Sequence, residues 1–372
     1  MSQRENVNPR REQDHRKNSR RYQKRVAARR RRNTIFIMEI VLLLILAVVL
    51  FFVSKLSKIE KTKLDMDKIE VNEDISQESQ KIMKGYQTIA MFGLDNRSNG
   101  NLSQGRSDVI MLANINNDTK EVKLVSVYRD TYLDTGDGIF QKCNAAYAKG
   151  GPEQAISMLN VNLDLNITDY VTVDFNSIIE CVDLLGGVDM EITDDEASLM
   201  TGYIRELNEL TGNKAENLTQ GGTYTLNGVQ ACAYARIRYG GGDDYRRTER
   251  QRTVLTAMVK KAQQSDLTTV NKLINEVCGD IQTSFSNAEL LALASQVFQY
   301  SIGDTTGFPF TKTTKVLSKK TGDVVIPCDL SDNVKELHIF LYEDSAYTAS
   351  DTVKQNSEKI VSDTGFKSGD GH

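Results

Sequence analysis

Arginine and aspartate gather in four short stretches of the chain. These are Asp95-Asn96-Arg97, Arg106-Ser107-Asp108, Arg129-Asp130-Thr131, and a run from Arg236 and Arg238 through Asp243 and Asp244 to Arg247, Arg250 and Gln251. Guanidiniums drawn to one place repel each other unless a dense anion sits between them. Phosphate and pyrophosphate fit, because the planar fork of Arg meets their oxygens bidentately. Acids at strand ends, such as Asp95 and Asp108, can hold a hard cation like Mg²⁺ (or Mn²⁺), which neutralises phosphate oxygens during transfer. Phosphoryl transfer relies on positioning and charge more than on a covalent nucleophile. That suits a chain with only three His (His15, His338, His372) and five Cys without a Cys-x-x-Cys pair. The counts argue against HExxH proteases, His-based triads, zinc ribbons and thioredoxin chemistry. Any one stretch alone reads as solvated surface pairing. Four of them, at strand ends or in loops, point to a phosphate site.

Spacing says how these groups must be carried. Arg236 and Arg238, if extended, point to one face, since strand side chains alternate with period two. Arg247, Arg250 and Gln251 lie at i, i+3 and i+4, on one face of a helix, and Gly240 to Gly242 let the two faces fold together. Apolar, β-branched runs predict strands at 88–92, 108–115, 121–128, 170–174 and 188–192, with a turn at 116–120. Helical periodicity predicts helices at 144–163, 176–185, 226–235, 247–263 and 287–300. The alternation implies an α/β fold, an α/β/α sandwich whose mixed central sheet is covered by helices.

The 372 residues carry a net charge of −4 that hides an asymmetry. Residues 1–33 hold thirteen Lys/Arg against three acids, so the rest is strongly acidic. Residues 34–54 follow, nearly all apolar apart from Glu39, and reach the length of about 20 residues that a bilayer core needs. No small-residue cleavage site follows them, which argues against a removed signal peptide. The basic tail predicts a cytoplasmic N-terminus and an external body, by the positive-inside rule. The expected organisation is a basic tail (1–33), a transmembrane helix (34–54), a stalk (55–85), a catalytic body (86–343, core 86–263) and a polar C-terminal helix and tail (344–372). Without aromatic interleaving or a helix-turn-helix pattern, the tail reads as a topology signal and no nucleic-acid partner is expected.

Taken together, the stretches resemble the LytR-CpsA-Psr family of Gram-positive cell-envelope proteins. The matching pieces, in order, are GLDNR (93–97), GRSDVIML (105–112), SVYRDTY (126–132), KCNAAYAKGG (142–151), DYVTVDF (169–175), LLGGVDMEI (184–192), LNGVQACAYARIR (226–238) and DDYRRTERQRTVL (243–255). The resemblance implies a phosphotransferase in the cell membrane. It would move a glycopolymer such as teichoic acid or capsule from undecaprenyl pyrophosphate to peptidoglycan, through a phosphodiester. It also implies a pocket for the polyprenyl chain between sheet and helices. Carried over, Asp95 and Asp108 match the Mg²⁺-associated acids, and Arg106, Arg129, Arg236, Arg238 and Arg247 match the pyrophosphate-binding arginines. Gln251 follows them on the helix, and Lys142 matches a basic residue of the same site. Asp108, Arg129, Asp130 and Arg238 are the expected catalytic group, with Asp130 orienting Arg129, and the general base is left to an Asp of the first two stretches. One departure stands out: Tyr128 occupies the place where the family usually has Pro. The rival readings are a lipid pyrophosphate hydrolase with water as acceptor, and a non-catalytic scaffold that binds polyprenyl lipid or glycan.

Overall fold

The computed structural model describes residues 60–61, 64–94, 102, 105–238, 243–266, 269, 272–273 and 281–371. The basic tail, the apolar segment 34–54 and Asp95 lie outside the described residues. Among the described residues no helix is long and apolar enough to cross a membrane.

In chain order the strands are β1 (Glu60–Lys61), β2 (Tyr86–Leu94), β3 (Ser107–Asn116), β4 (Glu121–Val127), β5 (Tyr132–Asp134), β6 (Phe140–Lys142), β7 (Asp169–Asp174), β8 (Val188–Ile192), β9 (Gly222–Leu226), β10 (Ile281–Thr283), β11 (Ser301–Phe308), β12 (Lys312–Ser318) and β13 (Gly322–Pro327). The helices are α1 (Gln77–Met83), α2 (Ala145–Leu163), α3 (Phe175–Leu184), α4 (Asp194–Thr211), α5 (Gly228–Arg236), α6 (Asp243–Gln264), α7 (Asn287–Ser295), α8 (Leu330–Tyr342) and α9 (Asp351–Thr364). Seven strands form one mixed sheet in the order β1-β10-β7-β2-β3-β4-β11, and β5–β6, β8–β9 and β12–β13 form separate two-stranded sheets. β2 runs antiparallel to β3 and parallel to β7, so β2 sits at the centre of the sheet.

Period-two alternation sorts the central strands. Phe92, Leu94, Ile110, Leu112, Val125 and Val127 bury one face in the main core with residues of α2, α8 and α9. Each fully buried Leu, Ile or Phe there contributes about 1.5–3 kcal/mol. Met91, Val109, Met111, Val171 and Val173 point to the other face, toward residues of α3, α5 and α6. The caps read directly from sequence: Asp174 caps α3, and Thr193 with Glu196, and Asn227 with Gln230, make capping boxes on α4 and α5. Gly228 lets α5 start against α3, because a Cβ there would lie 2.2 Å from the Ile179 carbonyl oxygen.

Several stretches depart from the periodicity reading. The expected helix 144–163 forms as Ala145–Leu163 but is broken at Gly150 and Gly151. The helix expected over 287–300 ends at Ser295, and the chain re-enters the sheet as β11. Residues 64–83, expected as part of a stalk, bury Ile69, Ile75 and Met83 in the main core. The C-terminal polar stretch likewise folds as α9 and buries Val353 and Ile360 there.

A buried polar network ties these two ends together. Asp164, in the left-handed conformation with φ 50°, accepts hydrogen bonds from Asn72 (2.5 Å), the Ser350 backbone (2.9 Å) and the Tyr347 hydroxyl. His338 stacks on Tyr347 at 3.8 Å, and its Nε2 meets the Leu163 carbonyl at 3.0 Å. Burial pulls the His338 imidazole below its ordinary value of 6.5, although Asp164 and Asp344 oppose it. A group that stays neutral in the folded chain adds stability above its unfolded value and loses it as pH falls through the depressed one. Thermal unfolding of wild type should therefore lose stability as pH drops below 6.5. His338→Phe, which keeps the stack, should flatten that part of the profile, and equal slopes in the two proteins would refute the assignment.

Candidate active site

β3 reaches its N-terminal end through an irregular register. Leu94 pairs with Ser107 and Gly93 with Val109, so Asp108 is an extra residue facing a single step of β2. Such a bulge re-aims a side chain that strict alternation would otherwise direct. Here it sends the Asp108 carboxylate to three guanidiniums. Arg129 NH1 donates to Oδ1 at 2.7 Å, Arg247 NH2 to Oδ2 at 3.3 Å, and Arg238 NH2 lies 3.8 Å from Oδ2.

The three arginines come from three elements. Arg129 sits in a turn just after β4, where the Tyr128 carbonyl accepts from the Thr131 backbone (2.9 Å) and hydroxyl (2.6 Å). The Asn144 backbone N–H donates to the Arg129 carbonyl at 3.1 Å, and the buried Cys143 thiol leans on the same turn. Arg247 lies one turn into α6 and is almost fully buried. Arg238 follows α5, where the chain turns at the buried Ile237 and the Arg238 backbone N–H donates to the Tyr203 hydroxyl at 3.2 Å.

Two more acids complete the cluster. Asp244 Oδ1 lies 3.7 Å from both Arg129 and Arg247, and Asp130 bridges Arg129 (3.7 Å) and Lys142 (2.9 Å). Burial alone would raise the Asp108 carboxyl, but the charges of Arg129 and Arg247 outweigh it and hold the group below the usual carboxylate range. Burial also works against Arg129, yet Asp108, Asp130 and Asp244 more than restore its charge. Arg247 is lowered to about 10, by burial first and then by the like charge of Arg238, and it remains a cation at neutral pH. Among the described residues the buried Nε of Arg129, the Nε of Arg247 and the Oδ2 of Asp244 have no hydrogen-bond partner.

An apolar cavity adjoins the cluster, about 790 Å³ counting the part open to solvent. Met91, Val109, Met111, Val171 and Val173 floor it, Ala235, Val254 and Met258 roof it, and Asp174 and Gln251 are its polar lining residues. Gln251 and Arg247 are one helical turn apart on α6, and Val109 directly follows Asp108. Cavity and charge cluster therefore share a border.

The structure gathers Asp108, Arg129, Asp130, Lys142, Arg238 and Arg247, and places Gln251 in the cavity wall. Arg106 stands exposed before β3. Arg236 does not pair with Asp108: it is the last helical residue of α5, so the extended geometry that would align it with Arg238 does not occur. Its guanidinium pairs with Glu206 at 3.3 Å and lies over the rings of Phe175 and Tyr203. Arg250 pairs with Glu196 at 3.0 Å, away from Asp108. Sequence reasoning assigned Asp244 no role, although its i, i+3 spacing to Arg247 in the fourth stretch marked it. Tyr128 also finds its reason. Its backbone N–H donates to the Phe308 carbonyl at 3.0 Å, a bond proline could not make, and its ring packs on Tyr245 with centroids 4.6 Å apart. Gly307 leaves room for it, since a Cβ there would lie 2.1 Å from the Tyr128 hydroxyl.

The descriptor of the LytR_cpsA_psr family matches residues 46–315. The chain belongs to that family. Among its curated relatives, the polyisoprenyl-teichoic acid–peptidoglycan teichoic acid transferase TagU of Enterococcus faecalis is 30% identical over 210 residues, 56% of this chain and 64% of that protein. The like-named TagV of Bacillus subtilis is 30% identical over 195 residues, 51% of this chain and 48% of that protein. The chain thus spans about half to two thirds of the length of these relatives. Two structures of TagT share the fold at 22% identity. One, described as bound to LI-WTA, has a TM-score of 0.57 and covers 75% of this chain and 99% of TagT. The other, described with bound octaprenyl pyrophosphate lipid, has a TM-score of 0.51 and covers 70% and 92%. The mixed central sheet with its helices is therefore the family's fold.

Removing one partner from a buried charge cluster leaves the others uncompensated. Asp108→Asn should cost on the order of 3 kcal/mol of stability, read as a lower midpoint in thermal unfolding. Inorganic pyrophosphate should recover part of that loss. An unchanged midpoint would show that the carboxylate does not hold the arginines together.

Proposed function

We propose that this chain is a membrane-anchored phosphotransferase. It would take a glycopolymer, such as teichoic acid or capsule, from undecaprenyl pyrophosphate and join it to peptidoglycan through a phosphodiester. One observation carries the reading: an apolar cavity borders a cluster of three guanidiniums gathered on one carboxylate. An isoprenoid diphosphate has those two halves, a long apolar chain and a dense dianionic head. The name of the TagT structure with octaprenyl pyrophosphate lipid supports the same assignment. The apolar segment 34–54 would anchor the chain in the cell membrane, with the basic tail cytoplasmic and the body outside.

In this reading the cavity takes the isoprenoid, and Arg129, Arg238 and Arg247 meet the diphosphate. An acceptor hydroxyl attacks the phosphorus that bears the sugar. A new phosphorus–oxygen bond forms, the bridging bond to the second phosphate breaks, and polyprenyl phosphate leaves. The arginines disperse the charge of the phosphoryl group in flight. Asp130 orients Arg129 while itself held by Lys142.

The hydroxyl proton needs an acceptor with an open lone pair. Asp108 is a poor one, since guanidinium N–H groups reach both of its oxygens and depress its basicity. Asp130 gives one oxygen to Lys142. Asp244 lies 3.7 Å from Arg129 and from Arg247, and its Oδ2 has no hydrogen-bond partner among the described residues, so Asp244 is the base we assign.

The donor set also suits Mg²⁺. A carboxylate has about four lone-pair sites, of which two on Asp108 face hydrogen-bonding guanidiniums, and Mg²⁺ commonly takes one or two carboxylates with substrate phosphates. Asp108 and Asp95 would hold the ion, and when bound it would neutralise diphosphate oxygens.

The test uses the full chain in detergent with lipid-linked glycan, Mg²⁺ and peptidoglycan oligomers. A joined glycan supports transfer; free sugar phosphate would make the protein a hydrolase, and no turnover would make it a binding scaffold. Asp244→Asn should lower kcat by about 10² or more with KM nearly kept. Ala235→Trp, which fills the cavity, should weaken the lipid donor about tenfold or more without lowering the unfolding midpoint. Normal affinity in that variant would place the lipid elsewhere.

A further inference from the structure

The β12–β13 hairpin stands against the far side of the Arg129 turn, and most of it follows residue 315, where the family match ends. It is fastened to the site at three points. The Val325 backbone N–H donates to the Asp130 carbonyl at 2.9 Å, and Thr131 and Val325 form a parallel bridge. Lys312 Nζ lies 4.8 Å from the ring of Tyr245 and 5.5 Å from that of Tyr128. Gly322, at the turn, lies beside Lys142: a Cβ there would be 3.9 Å from Lys142 Nζ.

Residues 312–327 carry Lys312, Lys315, Lys319 and Lys320 against a single acid, Asp323, in a body that is acidic elsewhere. Lys312 and Lys315 are engaged with the protein, the latter donating to the Thr364 carbonyl at 2.9 Å. Lys319 and Lys320 are exposed at the tip. Lysines on an edge strand also discourage strand pairing, but these two sit at the turn that leads into Gly322, the residue beside Lys142.

The contacts run in one order across the molecule. The cavity ends at Val109; Asp108 follows and holds Arg129; Arg129 pairs with Asp130; Asp130 pairs with Lys142; and Lys142 abuts the hairpin tip. The environment passes from apolar, through guanidinium, to exposed ammonium. A polyprenyl diphosphate that bears an anionic polymer has its parts in that sequence. Resting on the transferase reading, we infer that the hairpin tip, through Lys319 and Lys320, binds the polyanionic chain of the donor as it leaves the diphosphate site. The tip thus selects donors whose repeats carry phosphate or carboxylate. Its attraction is a rim charge effect, felt in encounter and affinity and screened by salt.

The full chain in detergent micelles is assayed with two donors on the same lipid diphosphate, one bearing a neutral disaccharide and one bearing glycerol-phosphate repeats. The double variant Lys319→Glu/Lys320→Glu should raise KM for the anionic donor about tenfold and flatten its salt dependence. It should leave the neutral donor unchanged, and Lys319→Arg/Lys320→Arg should behave as wild type. Equal effects on both donors, or none on either, overturn the inference. If wild type turns over neither donor, the transferase reading fails, and binding of free polyglycerol phosphate decides the hairpin: loss in the Glu variant upholds it and unchanged binding overturns it. Loss of binding to phosphatidylglycerol vesicles with polymer binding intact also overturns it, in favour of a membrane contact.

Discussion

Three like charges that meet on one carboxylate dominate this architecture. Arg129, Arg238 and Arg247 repel one another, two of them largely out of water, and Asp108 offsets only part of that repulsion. The arrangement survives because each guanidinium is delivered by a rigid element. A bulge aims the acid, a turn pinned by Cys143 and Asn144 presents the first arginine, and the long α6 carries the buried third. Under the proposed function, a diphosphate would meet guanidiniums that the scaffold already gathers, with little reorganisation.

The second constraint is the border between cluster and cavity. Strand alternation gives β2, β3 and β7 an apolar face that lines the cavity together with side chains of α3, α5 and α6, and α6 runs from that cavity to Arg247 within one turn. A single helix therefore sets the register between the apolar cavity and the charge cluster. Tyr128 belongs to the same problem. Where the related pattern has Pro, this chain uses a hydrogen bond to Phe308 and an aromatic contact with Tyr245, which ties the Arg129 turn to both β11 and α6.

Much of this was legible from residue order. The β-branched runs announced β2, β3, β4 and β7, and the acidic-basic stretches at their ends named most of the cluster. What escaped had physical reasons. The extended geometry expected at Arg236 does not form, because the capping box at Asn227 nucleates a helix that carries through it, and local spacing cannot say where such a helix stops. β10 to β13 went unread because their stretches are short, polar or Thr-rich, and they are strands only through the partners they meet. The cavity could not be foreseen without knowing which helices lie over the sheet. Asp244 was visible as a letter but not as a role, since its significance lies in an oxygen left without a donor.

The segment 64–83 bears on how the protein can be handled. Its Ile69, Ile75 and Met83 are buried with the main core, and Asn72 and Ser79 donate to Asp164 and Asp344 beneath the C-terminal helices. A fragment that starts at the first central strand would expose that apolar surface and remove one donor from each of two buried carboxylates. Any cut within the N-terminal region, by a protease or by a cloning boundary, must fall upstream of residue 64 to leave that packing intact.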